Sequence, residues 1–328
     1  MTTRSARAVL PSSAACRDLR EAVLAWFAHH GRELDFRVGG RRDPWGILVS
    51  EVMAQQTQIG RVEERWPGFM AAFPTPAAMA AASPADVIRA WRGLGYNRRA
   101  LNLHRAAVAI VAAGGSVPGD VEGIGALPGV GPYTARAVAA IAFGVPVGAV
   151  DVNVRRVLGR ILTANPASTA VAPVFLQAAA DALVDPDQPG TWTHAVMDIG
   201  ATVCRPARPS CSACPAQPWC RAARELGDGG VRRRVTGGTR ATRPVNRPGA
   251  TRSRPAVVTF EQTTRWLRGR LVDLLRDATL GEVLAVDGPL GAHSPEAVAR
   301  ALAGLARDGM VELDAAGRAR LAGSPERS

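Results

Sequence analysis

From Leu19 to Val203 the apolar residues recur at helical spacing, and no segment in this stretch alternates convincingly as a strand does. This periodicity commits the first part of the 328-residue chain to an all-α unit with short loops. It predicts helices over Leu19–His30, Ile47–Gly60, Arg98–Ala113, Pro132–Phe143, Val152–Thr163, Ala172–Leu183 and Thr191–Val203. Another helix runs from Ser83-Pro84, an N-cap followed by proline at the first helical position, through Trp91. An alanine-rich, aromatic-poor composition (5% Phe, Trp and Tyr) points the same way.

The basic residues divide the chain. All 40 are arginine, with no lysine, and the net charge is +12. Ten of those arginines fall in Arg221–Arg254, facing only Glu225 and Asp228 in a Gly-, Thr- and Pro-rich stretch that reads as a basic linker. Clustered arginine favours a polyanion, either nucleic acid or an anionic membrane surface. Beyond it, Trp266, Leu267, Leu271, Leu274 and Leu275 share one helical face. A second helix follows over Pro295–Arg307, with Ser294 as its N-cap, and then a hairpin of Met310–Leu313 and Arg318–Leu321. Two helices and a hairpin suggest a small winged-helix-like module. The absence of lysine excludes a lysine Schiff base, a P-loop lysine and pyridoxal phosphate attachment. No apolar run reaches the roughly 18–20 residues of a membrane span, and no signal peptide is evident, so a cytoplasmic protein is expected.

Cys204, Cys211, Cys214 and Cys220 form a C-x6-C-x2-C-x5-C run. Four thiols so close together, in a chain without an export signal, favour a metal site over disulfides. The compact single loop favours a [4Fe–4S] cluster over zinc, whose ribbon knuckles lie far apart in sequence. Cys16 stands alone and reads as an inert thiol.

Leu127-Pro128-Gly129-Val130-Gly131 separates two helical segments. Glycines spaced by one residue permit positive φ and leave amide N–H groups to face an anion. The helix opening at Pro132 adds the positive end of its dipole. The pattern suits a hairpin that grips a DNA backbone, and equally a tight turn between helices. Asp151 follows, just before a helix carrying Arg155, Arg156 and Arg160; it is either an N-cap or a catalytic acid.

With LPGVGPYTA, the following aspartate and the four-cysteine loop in this order, the chain resembles the helix-hairpin-helix DNA glycosylase superfamily. Ser50-Glu51-Val52-Met53-Ala54-Gln55-Gln56-Thr57-Gln58 is similar to the signature of adenine DNA glycosylases of the MutY type. So are Gly93-Leu94-Gly95-Tyr96, Asn102-Leu103-His104 and Met197-Asp198-Ile199-Gly200-Ala201. The resemblance spans residues 18–222. It implies a core in which 31–135 form a six-helix domain with the hairpin, while 18–30 and 136–222 form the cluster domain. Residues 223–254 would then be the linker and 255–328 the terminal module, in a short form like that of actinobacterial members.

The resemblance also implies roles. Glu51 would protonate adenine at N7, and Asp151 would stabilise the oxocarbenium-like sugar, with Tyr133 and Asn153 orienting the pair. Gln56 and Tyr96 would wedge into the duplex beside the extruded nucleotide. Gly129, Val130 and Gly131 would grip a phosphate, and the four cysteines would hold a [4Fe–4S] cluster. The partner would be double-stranded DNA with an adenine mispaired with 8-oxoguanine or guanine, bound by a monomer. The sister family, endonuclease III, carries its catalytic lysine where this chain has Tyr133, so base removal without lysine-dependent strand cleavage is expected.

Departures from the pattern are Ala54 in place of leucine, Asn97 in place of a second tyrosine, and Leu34-Asp35-Phe36-Arg37 in place of an LPWR-like element. Ala54 is expected to enlarge or loosen the adenine pocket. Residues 255–328 are too short and too helical for the β-rich domain that reads 8-oxoguanine in most members. A glycosylase for another base and a non-catalytic lesion-binding protein are the alternatives.

Overall fold

The computed structural model describes residues 10–37, 43–164, 171–223, 259–279 and 281–324. The chain separates into two compact units, Met1–Val231 and Arg232–Ser328. Most of the basic stretch, from residue 224 onward, lies outside the described residues.

The first unit is helical, with no strand among the described residues. Its α-helices are α1 (Ser13–His30), α2 (Pro44–Ala54), α3 (Ile59–Ala72), α4 (Pro76–Ala81), α5 (Pro84–Ala90), α6 (Arg98–Ala112), α7 (Val121–Gly125), α8 (Pro132–Phe143), α9 (Val152–Leu162), α10 (Pro173–Leu183) and α11 (Pro189–Asp198). They surround two apolar cores. The first is built on α2, whose Trp45, Leu48, Val49, Val52 and Met53 are buried, with contributions from α3 to α8. The second gathers α1 with α9, α10 and α11, and the four clustered cysteines border it or lie just beyond it. Cys16 is buried in this second core.

Local chemistry sets the ends of the helices that matter. Asp43 caps α2, accepting from the amides of Trp45 and Gly46 at 3.1 and 3.0 Å, and Pro44 follows at the first position. α8 opens at Gly131-Pro132 and stops at Gly144, whose φ of 69° is left-handed, the usual glycine C-cap. Ala135, Ala139 and Ala142 let α8 lie close against α2, and α8 also packs on α7 and α11. Asp151 caps α9, its Oδ1 accepting from the Val154 amide at 2.7 Å.

The structure corrects several boundaries. The helix expected over Ile47–Gly60 stops at Ala54; Gln56 turns left-handed (φ 56°), and α3 starts afresh at Ile59. Helices α3, α4 and α7 have no counterpart among the sequence expectations. Pro67 interrupts the helical pattern within α3, and α4 and α7 have only six and five residues. The helix expected over Thr191–Val203 begins at Pro189 and loosens after Asp198 into a wider π turn, Ile199–Val203. α8 spans the expected boundary at 135, packing on α2 and α7 of the first core and on α11 of the second.

In the second unit, helices Thr264–Asp277 and Pro295–Arg307 precede an antiparallel hairpin of β1 (Val311–Leu313) and β2 (Ala319–Leu321), in register Val311↔Leu321. Ser294 caps the second helix, accepting from the Ala297 amide. Leu267, Leu271, Leu275, Val298, Leu302 and Leu305 form the buried stripes. No helix among the described residues is long and apolar enough to cross a membrane.

Candidate active site

Glu51 is the only charged residue on α2, a helix buried along most of its length. It opens onto a cavity of about 340 Å³ lined by Phe36, Arg37, Ile47, Ser50, Ile141, Asp187, Gln188, Gly190, Thr191 and His194. Burial pushes the Glu51 carboxyl from its ordinary 4.5 up to about 7, against the opposing pull of a Tyr133 hydrogen bond and the Arg37 charge. Nearby Asp151 adds a further push upward. The Tyr133 phenol is held well above its ordinary 10, by burial first and then by the Glu51 and Asp151 charges, so it stays a donor. Its oxygen also lies 3.1 Å from Met197 Sδ.

Asp151 arrives from the other side as the cap of α9. Asn153 donates to its Oδ2 at 3.0 Å and accepts from Arg156 Nη2 at 2.8 Å. Arg156 in turn donates to the Gly200 and Cys204 carbonyls, both at 2.7 Å. The expected quartet of Glu51, Tyr133, Asp151 and Asn153 is therefore brought together where the two cores meet. The geometry places an acid raised to about 7 at a cavity wall and a second, hydrogen-bonded carboxyl group beside it.

Sequence reasoning missed the rest of the wall. Asp198 is fully buried and receives Arg32 Nη2 at 2.6 Å and Arg37 Nη1 at 3.0 Å. Burial alone would raise its carboxyl; the two arginines outweigh burial and hold it below the usual range. This pairing fixes Arg37 at the cavity, so the degraded Leu34–Arg37 element still supplies an aromatic ring and a cation to the wall. Burial, with Arg37 and Arg32 opposing Asp198, pushes the His194 imidazole down to about 3, leaving it neutral. Ala54, expected at the pocket, instead packs against the first core and does not line this cavity.

Gln56 is exposed and Tyr96 is 37% exposed; they are the only non-glycine residues with positive φ among the described residues, at 56° and 46°. Each such conformation costs about 1–2 kcal/mol. In the hairpin, Gly129 has φ 80°, and a Cβ there would stand 2.6 Å from Asn102 Cβ, so only glycine fits. The Gly131 α-carbon faces open space. Val130 corrects an expectation: its amide closes the turn onto the Leu127 carbonyl at 3.1 Å and does not point outward. The Gly129 and Gly131 amides carry no such bond among the described residues.

None of the four clustered cysteines is in a disulfide, and all four line one small apolar cavity with Arg160, Val203 and Pro209. Arg160 Nη1 donates to Cys204 Sγ at 3.3 Å, and the guanidinium also donates to the Arg205 and Pro206 carbonyls. Among the described residues no three His, Cys, Asp or Glu side chains close on a single-ion site. The donor set is four soft thiols around a shared space beside a buried cation, which suits a thiolate-bound group of net negative charge.

Residues 49–172 match the model of the HhH-GPD superfamily base excision DNA repair proteins. The adenine DNA glycosylase of Mycolicibacterium smegmatis is 40% identical over 309 residues, covering 93% of this chain and 96% of that protein. That of Mycobacterium tuberculosis is 40% identical over 78% of each chain. The human adenine DNA glycosylase is 43% identical over 62% of this chain and 39% of its own length. Among solved structures, a thermostable thymine-DNA glycosylase aligns with a TM-score of 0.60 at 25% identity, over 66% of this chain and 99% of that one. An endonuclease III trapped on DNA aligns at 0.53 and 23%, over 66% and 98%, and shares the fold. The mycobacterial match extends past the glycosylase core through the terminal unit, and on that breadth the chain belongs to the adenine DNA glycosylase family.

Proposed function

We propose that the chain excises adenine mispaired with 8-oxoguanine or guanine from double-stranded DNA, acting as a monomer and leaving an abasic site. The carrying observation is a buried acid, Glu51, raised to about 7 at the wall of a 340 Å³ cavity. A carboxyl that is half protonated near neutral pH can give its proton to the base nitrogen as the glycosidic bond breaks. Tyr133 holds the Glu51 carboxyl, and Asn153 holds the Asp151 carboxylate where positive charge develops on the sugar. Gln56 and Tyr96 enter the stack beside the extruded nucleotide, and the Gly129 and Gly131 amides meet a backbone phosphate.

Tyr133 occupies the position of the lyase lysine, so strand cleavage through a lysine Schiff base is absent. Cys204, Cys211, Cys214 and Cys220 hold a [4Fe–4S] cluster, with Arg160 offsetting its charge. When bound, that cluster supplies four iron–thiolate bonds that tie the loop to the second core. The division into core 18–222, linker 223–254 and a winged-helix-like module 255–328 belongs to the same reading, as does a cytoplasmic location. The linker contacts DNA through its arginines.

Single-turnover assays on A:8-oxoG, A:G, A:C and G:T duplexes test the proposal. Alkali-dependent strand breaks at adenine opposite 8-oxoguanine are expected. Release only of another base from the panel would replace adenine as the substrate. Tight binding with no base release would make the protein a lesion binder.

A further inference from the structure

Base removal through Glu51 and Asp151 makes no use of Arg99, yet its guanidinium gathers hydrogen bonds from several separate segments among the described residues. Its Nη1 donates to the Val52, Met53 and Gln55 carbonyls at 2.9, 2.8 and 2.6 Å, the unsatisfied C-terminal end of α2. Its Nη2 donates to Thr57 Oγ1 at 2.9 Å and to the Leu94 and Gly95 carbonyls at 3.0 and 3.1 Å. The guanidinium also lies against two rings, 5.2 Å from the Trp91 centroid and 5.6 Å from that of Tyr96.

These contacts fall on two loops. One runs from the end of α2 through Gln56 to Thr57, and the other from Trp91 through Gly93, Leu94 and Gly95 to Tyr96. Each loop carries one left-handed non-glycine residue, Gln56 or Tyr96, and each of those side chains reaches solvent. The loops are also laced directly, Thr57 Oγ1 lying 3.4 Å from the Leu94 carbonyl it donates to. Arg61 Nη1 ties the second loop to α3 through the Gly93 carbonyl at 2.9 Å, and Trp91 Nε1 closes that loop on the Gly95 carbonyl at 3.0 Å. Burial lowers the Arg99 guanidinium only to about 10, so it remains a cation, complementing the negative end of α2. A planar fork with fixed donor directions can satisfy acceptors on both loops at once; an ammonium on a flexible stem cannot.

We infer that Arg99 is a positioning residue for base extrusion, holding Gln56 and Tyr96 in their wedge conformation before DNA arrives. This rests on the reading of Gln56 and Tyr96 as the wedge. Pre-ordering both loops spares the binding step the cost of straining and immobilising them.

The test compares full-length wild type with Arg99→Lys, Arg99→Met, Gln56→Ala and Tyr96→Ala. Each is given an A:8-oxoG duplex and a duplex whose target adenine sits in an unpaired bubble. With enzyme in excess, Arg99→Met is expected to slow excision about 100-fold on the paired duplex and by no more than about threefold in the bubble. Arg99→Lys keeps the charge and is expected to lose about tenfold, again only on the paired duplex. In a Glu51→Gln background, 2-aminopurine beside the target reports unstacking, and its signal should fall with the Arg99 substitutions.

Equal losses on both substrates would make Arg99 merely structural and overturn the inference. So would an Arg99→Lys protein, folded by circular dichroism, with a wild-type rate on the paired duplex. Where Arg99→Met does not fold, Arg99→Lys decides. If Gln56→Ala and Tyr96→Ala leave extrusion unchanged, the wedge reading itself fails.

Discussion

Replacing Glu51 by glutamine should cost the protein its activity and make it more stable, by an amount that depends on pH. A carboxyl raised from 4.5 in the unfolded chain to about 7 in the fold favours its protonated form by about 3 kcal/mol. The folded value lies above the unfolded one, the reverse of a salt-bridged carboxylate. The associated stability is complete below about pH 4.5, declines as the unfolded state ionises, and is gone above about pH 7. Glutamine has nearly the same shape and never ionises, so the difference between variant and wild type isolates this one group. Between pH 5 and 8.5 the advantage of Glu51→Gln should grow by about 2.5 kcal/mol, or about 5–10 °C in Tm for a unit of this size. Thermal melts of both proteins across that range measure it directly. In parallel, the wild-type single-turnover rate should fall about 15-fold from pH 7 to 8.5 as the protonated fraction declines. A stability difference that stays flat with pH would mean the carboxyl is not held neutral by burial, and the argument for Glu51 as the proton donor would collapse with it.

Three further outcomes follow from the geometry. Gly129→Ala forces a Cβ against Asn102 at φ 80° and should destabilise by about 1–2 kcal/mol, whereas Gly131→Ala, facing open space, should change Tm little while weakening duplex binding in anisotropy titrations. Asp198→Asn leaves Arg32 and Arg37 without their buried counter-charge and should cost about 3–5 kcal/mol in urea melts; because the Asp198 carboxyl is lowered in the fold, its contribution is present above the ordinary carboxylate range and lost as pH falls through the lowered value. Cys214→Ser should reduce bound iron and the visible absorbance of the purified protein, while retention of full iron content would refute a four-cysteine cluster.

What could be read from sequence was what short-range chemistry dictates. Gly131-Pro132 and Gly144 bracket α8 at the expected positions because a proline start and a left-handed glycine stop are local instructions. Ser83, Ser294 and Asp151 act as caps for the same reason. The helix expected through Gly60 stops at Ala54, a stop hidden from the sequence because periodicity carries no sign of a left-handed Gln56, nor of an Arg99 from another segment that takes the Gln55 carbonyl. α3 was hidden by Pro67, whose cost is met by tertiary burial of Val62 and Phe69. The cavity wall was illegible altogether: Arg37 and His194 meet only because Asp198 pulls Arg37 across from a distant loop.

In the proposed function, the two carboxyl groups of the site owe their different tasks to where each lies on its helix. Glu51 lies within α2, where the backbone N–H groups are already spent on the helix and the neighbouring side chains are apolar, so its charge is left to Tyr133 and Arg37 and burial dominates. Asp151 precedes the first turn of α9, where it caps the helix and collects the Val154 amide and the Asn153 side chain. The same logic bears on Tyr133, which in the proposed function stands where a lyase would carry its lysine. A cation at that point would pull Glu51 down and ionise the acid, while a phenol kept protonated by its burial donates a hydrogen bond and leaves the proton on Glu51 available. In the proposed function, one tyrosine both leaves no Schiff-base amine at this point and keeps the Glu51 proton available to the base.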